Sequence, residues 1–171
     1  MWRQNFKKAE ANLDLLIQIF DTLTYIYDTT VADALMKDYK DFRFEFSKQT
    51  GRLRYIHKGK DPFLTIIPTT GWIVPSLEAF EIIKQVSEPP KYRVIVSDDA
   101  AKFASEGKSV FTHHIIEIDR NLRPNDEVMI VDQQDRIAAL GKLNFPIQYI
   151  TNERNGVAVK NKKGNKQYLK Q

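Results

Sequence analysis

Apolar residues at the start of the chain recur at alternating spacings of three and four: Phe6, Ala9, Leu13, Leu16, Phe20, Leu23 and Tyr27. That period predicts one helix from Gln4 to Tyr27. Leu15, Ile17, Ile19 and Ile26 widen its apolar face, so the helix is expected to pack on more than one side. A stripe of this kind belongs to a core or a subunit interface. Asp28-Thr29-Thr30 offers caps for a second helix through Lys37. From Phe42 the period falls to two, with Phe42, Phe44 and Phe46 on one face of a strand and Arg43 and Glu45 on the other. A turn at Lys48-Gln49-Thr50-Gly51 returns the chain as Arg52–Ile56, and further strands are expected at Phe63–Ile67 and Trp72–Val74. Ser76 caps a helix to Val86, with Leu77, Phe80, Ile83 and Val86 turned inward. Ser87-Glu88-Pro89-Pro90 reads as a linker.

Beyond the linker the strands are short and close together. Tyr92–Val96 is one, and Ser97 or Asp98 caps a two-turn helix that Gly107 stops. Lys108 to Ile118 reads as one long strand, and Glu127–Val131, Arg136–Lys142, Phe145–Ile150 and Gly156–Lys160 follow. Many short strands around a single helix predict a closed or nearly closed barrel. The fold class is therefore α+β: N-terminal helices with a small antiparallel sheet over residues 1–88, then a β-barrel with a short helix over residues 91–171.

Composition narrows the function. In these 171 residues the hydrophobic share is 42% and the charged share 28%, which suits a folded core. No apolar run reaches the ~18–20 residues of a spanning helix. Cysteine is absent, which removes disulfides, thiolate metal sites and cysteine nucleophiles together. Met1–Asn5 carries no signal-peptide core, so the cytosol is the expected compartment. The net charge of +4 is unevenly spread: residues 1–90 are neutral, and residues 91–171 carry the whole excess. From Arg154 onward come Lys160, Lys162, Lys163, Lys166 and Lys170 with no acid. Such a segment is either an electrostatic footprint on phosphate or a solvated tail.

Catalytic and metal chemistry find little support. His113 and His114 are adjacent on the long strand, so their side chains are expected on opposite faces, unable to share a metal. Asp98-Asp99 reads as helix capping. No phosphate-binding loop, dinucleotide fingerprint or nucleophile elbow is present. Gly107-Lys108-Ser109 is the candidate binding element: glycine admits close backbone approach, lysine offers charge to phosphate and serine can hydrogen-bond. The alternative is a plain helix stop with an exposed lysine. Phe111 suits either stacking on a base or burial in the barrel, and Arg123 either phosphate binding or pairing with Asp126.

The run Tyr92–Val96, Glu106–Phe111, Arg123–Val128, Ala139–Lys142 and Gly156–Lys160 resembles a PUA domain, an RNA-binding pseudobarrel. Upstream, Phe44–Arg54 and the helix start Pro75–Ala79 resemble the domain that precedes the PUA in archaeal tRNA-guanine transglycosylases, enzymes of archaeosine formation. The same pair occurs in archaeosine synthases. The resemblance covers about residues 10–160. Asn125 replaces the usual glycine of an Arg-Pro-x-Asp turn, and asparagine is the next-best residue for that backbone. The large catalytic barrel and its cysteine-rich zinc site have no counterpart here. The resemblance implies that the Gly107–Ser109 loop and the last strand clamp RNA together, which brings in Lys160, Lys162 and Lys163. Lysines neutralise phosphates without reading bases. The expectation is a non-catalytic, tRNA-binding subunit without metal or cofactor, whose first half docks on a separate transglycosylase chain through its first helix. A free-standing RNA-binding module in ribosome biogenesis or translation is the alternative, as is a subunit of archaeosine synthase.

Overall fold

The computed structural model describes residues 6–9, 12–152 and 155–170. Gln4, Asn5 and Arg154, which figured in the expected helix start and the basic tail, lie outside them. The chain divides into two compact units, Met1–Val86 and Ser87–Gln171.

In the first unit the side chain of Asn12 accepts from the Leu15 N–H at 2.9 Å and starts helix α1 (Leu13–Ile26). The helix therefore begins later than the apolar period predicts. Phe6–Ala9 is a strand, β1, paired with β2 (Arg43–Ser47). A four-residue stretch cannot distinguish the two periods, and the Asn12 cap decides where the helix starts. Ile19 and Leu23 are the buried residues of α1, while Leu13, Ile17 and Tyr25 stand exposed. Asp28 caps α2 (Thr29–Met36), accepting from Val31 N–H at 2.8 Å. Strands β3 (Leu53–His57), β4 (Pro62–Ile66) and β5 (Ile73–Pro75) complete an antiparallel sheet in the order β1-β2-β3-β4-β5. Ser76 caps the closing helix α3 (Leu77–Gln85), as its position predicts. Phe42, Phe44 and Phe63 meet in the core, with Phe42 and Phe63 ring centres 5.7 Å apart.

The second unit is a six-stranded, nearly closed sheet ordered β7-β11-β10-β9-β6-β8. Its strands are β6 (Arg93–Val96), β7 (Val110–Phe111), β8 (Ile115–Ile118), β9 (Glu127–Val131), β10 (Ile137–Leu143) and β11 (Val157–Gly164). Helix α4 (Asp98–Ser105) turns Ala100, Ala101 and Ala104 into a core shared with Val94, Val128, Ile130 and Val159. Two expectations are corrected. The long strand from Lys108 to Ile118 is broken by a 3-10 turn at Thr112–His114, because β7 pairs with β11 whereas β8 pairs with β6. A strand that changes partners must bend at a corner. Phe145–Ile150 is not a strand: Ile147–Asn152 is a helix, α5, with Ile147 and Ile150 buried at a helical spacing. Asn125 adopts φ +78°, the left-handed backbone expected of its turn.

Candidate nucleic-acid interface

Helix α4 is capped by the side chain of Ser97, and Asp98 and Asp99 fill its first turn, where the helix dipole favours acids. Gly107 ends it at φ +96°, its N–H donating to the Ala104 carbonyl at 2.9 Å while Lys108 N–H reaches the Phe103 carbonyl at 3.1 Å. The left-handed residue turns the chain sharply and leaves Lys108 exposed, with Ser109 half-buried.

Strand β11 meets this loop through a residue that the sequence reading passed over. The Asn161 side-chain amide donates to the carbonyls of Ala104 at 2.7 Å and Lys108 at 2.9 Å. Its backbone N–H donates to Ser109 Oγ at 3.3 Å. Gly164 completes the contact by absence of a side chain, since a Cβ there would lie 2.1 Å from the Ser105 carbonyl oxygen. The loop and the last strand are thus adjacent.

The remaining candidates separate. Phe111 is not buried in the barrel: it is 44% exposed, and its ring stacks on His113 with centres 5.9 Å apart. Because of the 3-10 turn, the rings of His113 and His114 lie 4.0 Å apart rather than on opposite faces. Burial, and then the neighbouring His113, hold the His114 imidazole below its ordinary value. Lys160 and Lys163 are exposed, whereas Lys162 is paired with the buried carboxylate of Glu127. The exposed Arg123 sits at the far end of β10 from Gly164: its backbone N–H donates to Asp126 at 2.7 Å, and the turn is bonded to Leu143.

Phe103 also escaped the sequence reading. It is 58% exposed on α4, one turn before Gly107. The available signal was a phenylalanine in a helix whose buried positions are three alanines and a serine. Among the described residues no three His, Asp or Glu side chains converge as metal ligands. No helix among them is long and apolar enough to cross a membrane.

Residues 18–90 match the patch-forming domain C2 of tRNA-guanine transglycosylase, and residues 92–164 match the PUA domain. The chain is 32% identical over 157 residues to tRNA-guanine(15) transglycosylase of Methanothermobacter thermautotrophicus, covering 92% of this chain and 24% of the relative. The corresponding protein of Methanobrevibacter smithii is 33% identical over 164 residues, covering 96% and 23%. The chain therefore spans about a quarter of the length of these curated relatives. Among solved structures, a hypothetical protein from Pyrococcus horikoshii superposes with TM-score 0.71 at 17% identity, covering 95% of this chain and 97% of that one. A conserved PUA domain protein from Thermoplasma acidophilum gives 0.60 at 16% identity, with the same two coverages of 95% and 97%. With its C2 and PUA domains in this order, the chain matches the C-terminal region of archaeal tRNA-guanine transglycosylases.

Proposed function

We propose that this chain binds tRNA in the cytoplasm and holds it for transglycosylase chemistry carried out by a separate catalytic chain in archaeosine formation. The observation that carries the reading is the Asn161 clamp, which joins the Gly107–Ser109 loop to the lysine-bearing strand β11 within a PUA domain. Lys108, Lys160 and Lys163 would contact phosphates, and Phe111 and Phe103 would stack on bases. Such contacts position RNA without performing chemistry on it. The first unit would dock on the catalytic chain. Leu13 and Ile17, one turn apart on α1, are exposed, and Tyr25 is exposed further along beyond the exposed Asp21; these apolar side chains suit a protein partner.

A pull-down from native archaeal extract, with bound RNA and protein identified, tests the reading. Recovery of tRNA together with a transglycosylase catalytic chain supports it. Recovery of ribosomal RNA alone, or of no RNA at low salt, overturns it.

A further inference from the structure

Strand β11 carries Lys160 and Lys163 three residues apart, so a regular strand would point them to opposite faces. The observed register does otherwise. Lys160 lies opposite Lys142, and Lys163 lies opposite Leu140. Leu140 and Lys142 are two apart on β10 and share a face, so Lys160 and Lys163 share it too. The shift falls at Lys162, the extra residue of a β-bulge. On its other side Lys142 lies opposite Glu127 of β9, and Lys162 reaches the same carboxylate. The bulge therefore gathers Lys142, Lys160, Lys162 and Lys163 on one face around Glu127, whose side chain is 3% exposed.

Lysines directly opposed across neighbouring strands, as Lys142 and Lys160 are, repel one another. Glu127 is the one acid in this cross-strand row, and Lys162 already occupies it. The excess positive charge calls for an external anion. The row supplies point charges on flexible stems and no aromatic anchor, which suits a phosphate backbone better than a protein surface.

We propose that the phosphate-contacting surface of β11 continues across onto β10 as a track for RNA beyond the Gly107–Ser109 loop. Lys142 is a contact residue in it, and Glu127 is an internal competitor that holds Lys162 back. The proposal rests on the RNA-binding reading above and extends it to residues outside the loop and last strand.

Fluorescence anisotropy over a KCl series tests it, with a labelled tRNA transcript and an unrelated RNA hairpin as probes. Lys142→Ala should flatten the slope of log affinity against log salt by about one, on both probes. Glu127→Gln should release Lys162, steepen the slope by about one and tighten binding. Lys58→Ala, which removes the same charge from the first unit, should leave the slope unchanged. Unfolding midpoints verify that each variant is folded, and the half-buried Lys142 makes a safer variant than the buried Glu127. A Lys142→Ala slope equal to wild type, weaker binding by folded Glu127→Gln, or no binding to either probe overturns the track. Equal wild-type affinity for the two probes, with the slope changes present, overturns the tRNA reading and leaves the track standing.

Discussion

The side-chain amide of Asn161 donates a 2.9 Å hydrogen bond to the carbonyl oxygen of Lys108, across 53 residues of sequence. With the companion bond to Ala104 it fixes the end of α4 and the following loop against β11. Asn161→Ala should cost about 1–2 kcal/mol in urea unfolding, in line with the loss of two modest hydrogen bonds. Asn161→Asp keeps the volume but has no donor, and should cost more. Both variants should weaken RNA binding beyond the effect of removing Lys108 alone, because the whole loop loses its position. Binding unchanged in a folded Asn161→Asp protein would contradict the clamp's role.

Two glycines at this junction make opposite demands. Gly164 has no room for a Cβ, whose nearest neighbour would be the Ser105 carbonyl oxygen at 2.1 Å. Gly107 has open space around it but a backbone at φ +96°. Gly164→Ala should therefore cost about 1–3 kcal/mol through forced displacement of α4 from β11. Gly107→Ala should cost about 1 kcal/mol through backbone strain alone. Urea midpoints at equal m-value would separate the two costs.

Arg93 is fully buried, with Nε and Nη2 bonded to the two carboxylate oxygens of Asp135 at 2.7 and 3.2 Å. Its remaining donors reach Ser87 and the Lys91 carbonyl, which ties the start of the second unit to β6. Asp135→Ala should destabilise the protein by about 1–3 kcal/mol. The figure stays below that of a fully enclosed pair because Asp135 keeps 34% of its side chain in water. Thermal unfolding against wild type measures it.

Asp132 and Tyr168 give the stability a pH signature. Burial pushes the Asp132 carboxyl up, but bonds from the Arg136 and Gln134 backbones, the Tyr168 hydroxyl and the Arg136 guanidinium outweigh it and hold it below the ordinary value. Folding thus favours the carboxylate, and its contribution is present above about pH 4 and lost as pH falls through the depressed folded value. Tyr168 is pushed up to about 12, by burial and then by the hydrogen bond it donates to Asp132. Folding favours the neutral phenol, so that contribution is full below about pH 10 and lost on rising towards 12. Tyr168→Phe should remove the alkaline loss and soften the acid one, as read from urea midpoints across pH.

Long periodic segments and capped helix starts were legible in the sequence. Asp28, Ser76 and Ser97 each stand at the N-cap of a helix. The misreadings arose where tertiary pairing decides. Phe6–Ala9 is too short to carry a period, and its strand exists through pairing with β2. Lys108–Ile118 is uniformly strand-like, and only the exchange of partners from β11 to β6 breaks it. In the candidate site, Gly107-Lys108-Ser109 was visible because a helix stop has a local signature. Asn161, Gly164 and the bulge at Lys162 were not, since each acts across strands or against a distant helix. The pairing of Lys162 with Glu127 follows from the same register and is invisible in a row of lysines.

This chain is proposed to hold tRNA for a separate catalytic chain. The most direct measurement is exchange of labelled guanine into full-length tRNA by the catalytic chain recovered in the pull-down, with and without this protein. Adding this chain should lower the KM for tRNA, and the gain should fade with rising salt and be reduced by Asn161→Asp. Exchange by the catalytic chain alone that equals exchange in the presence of this protein, at every tRNA concentration, would contradict it.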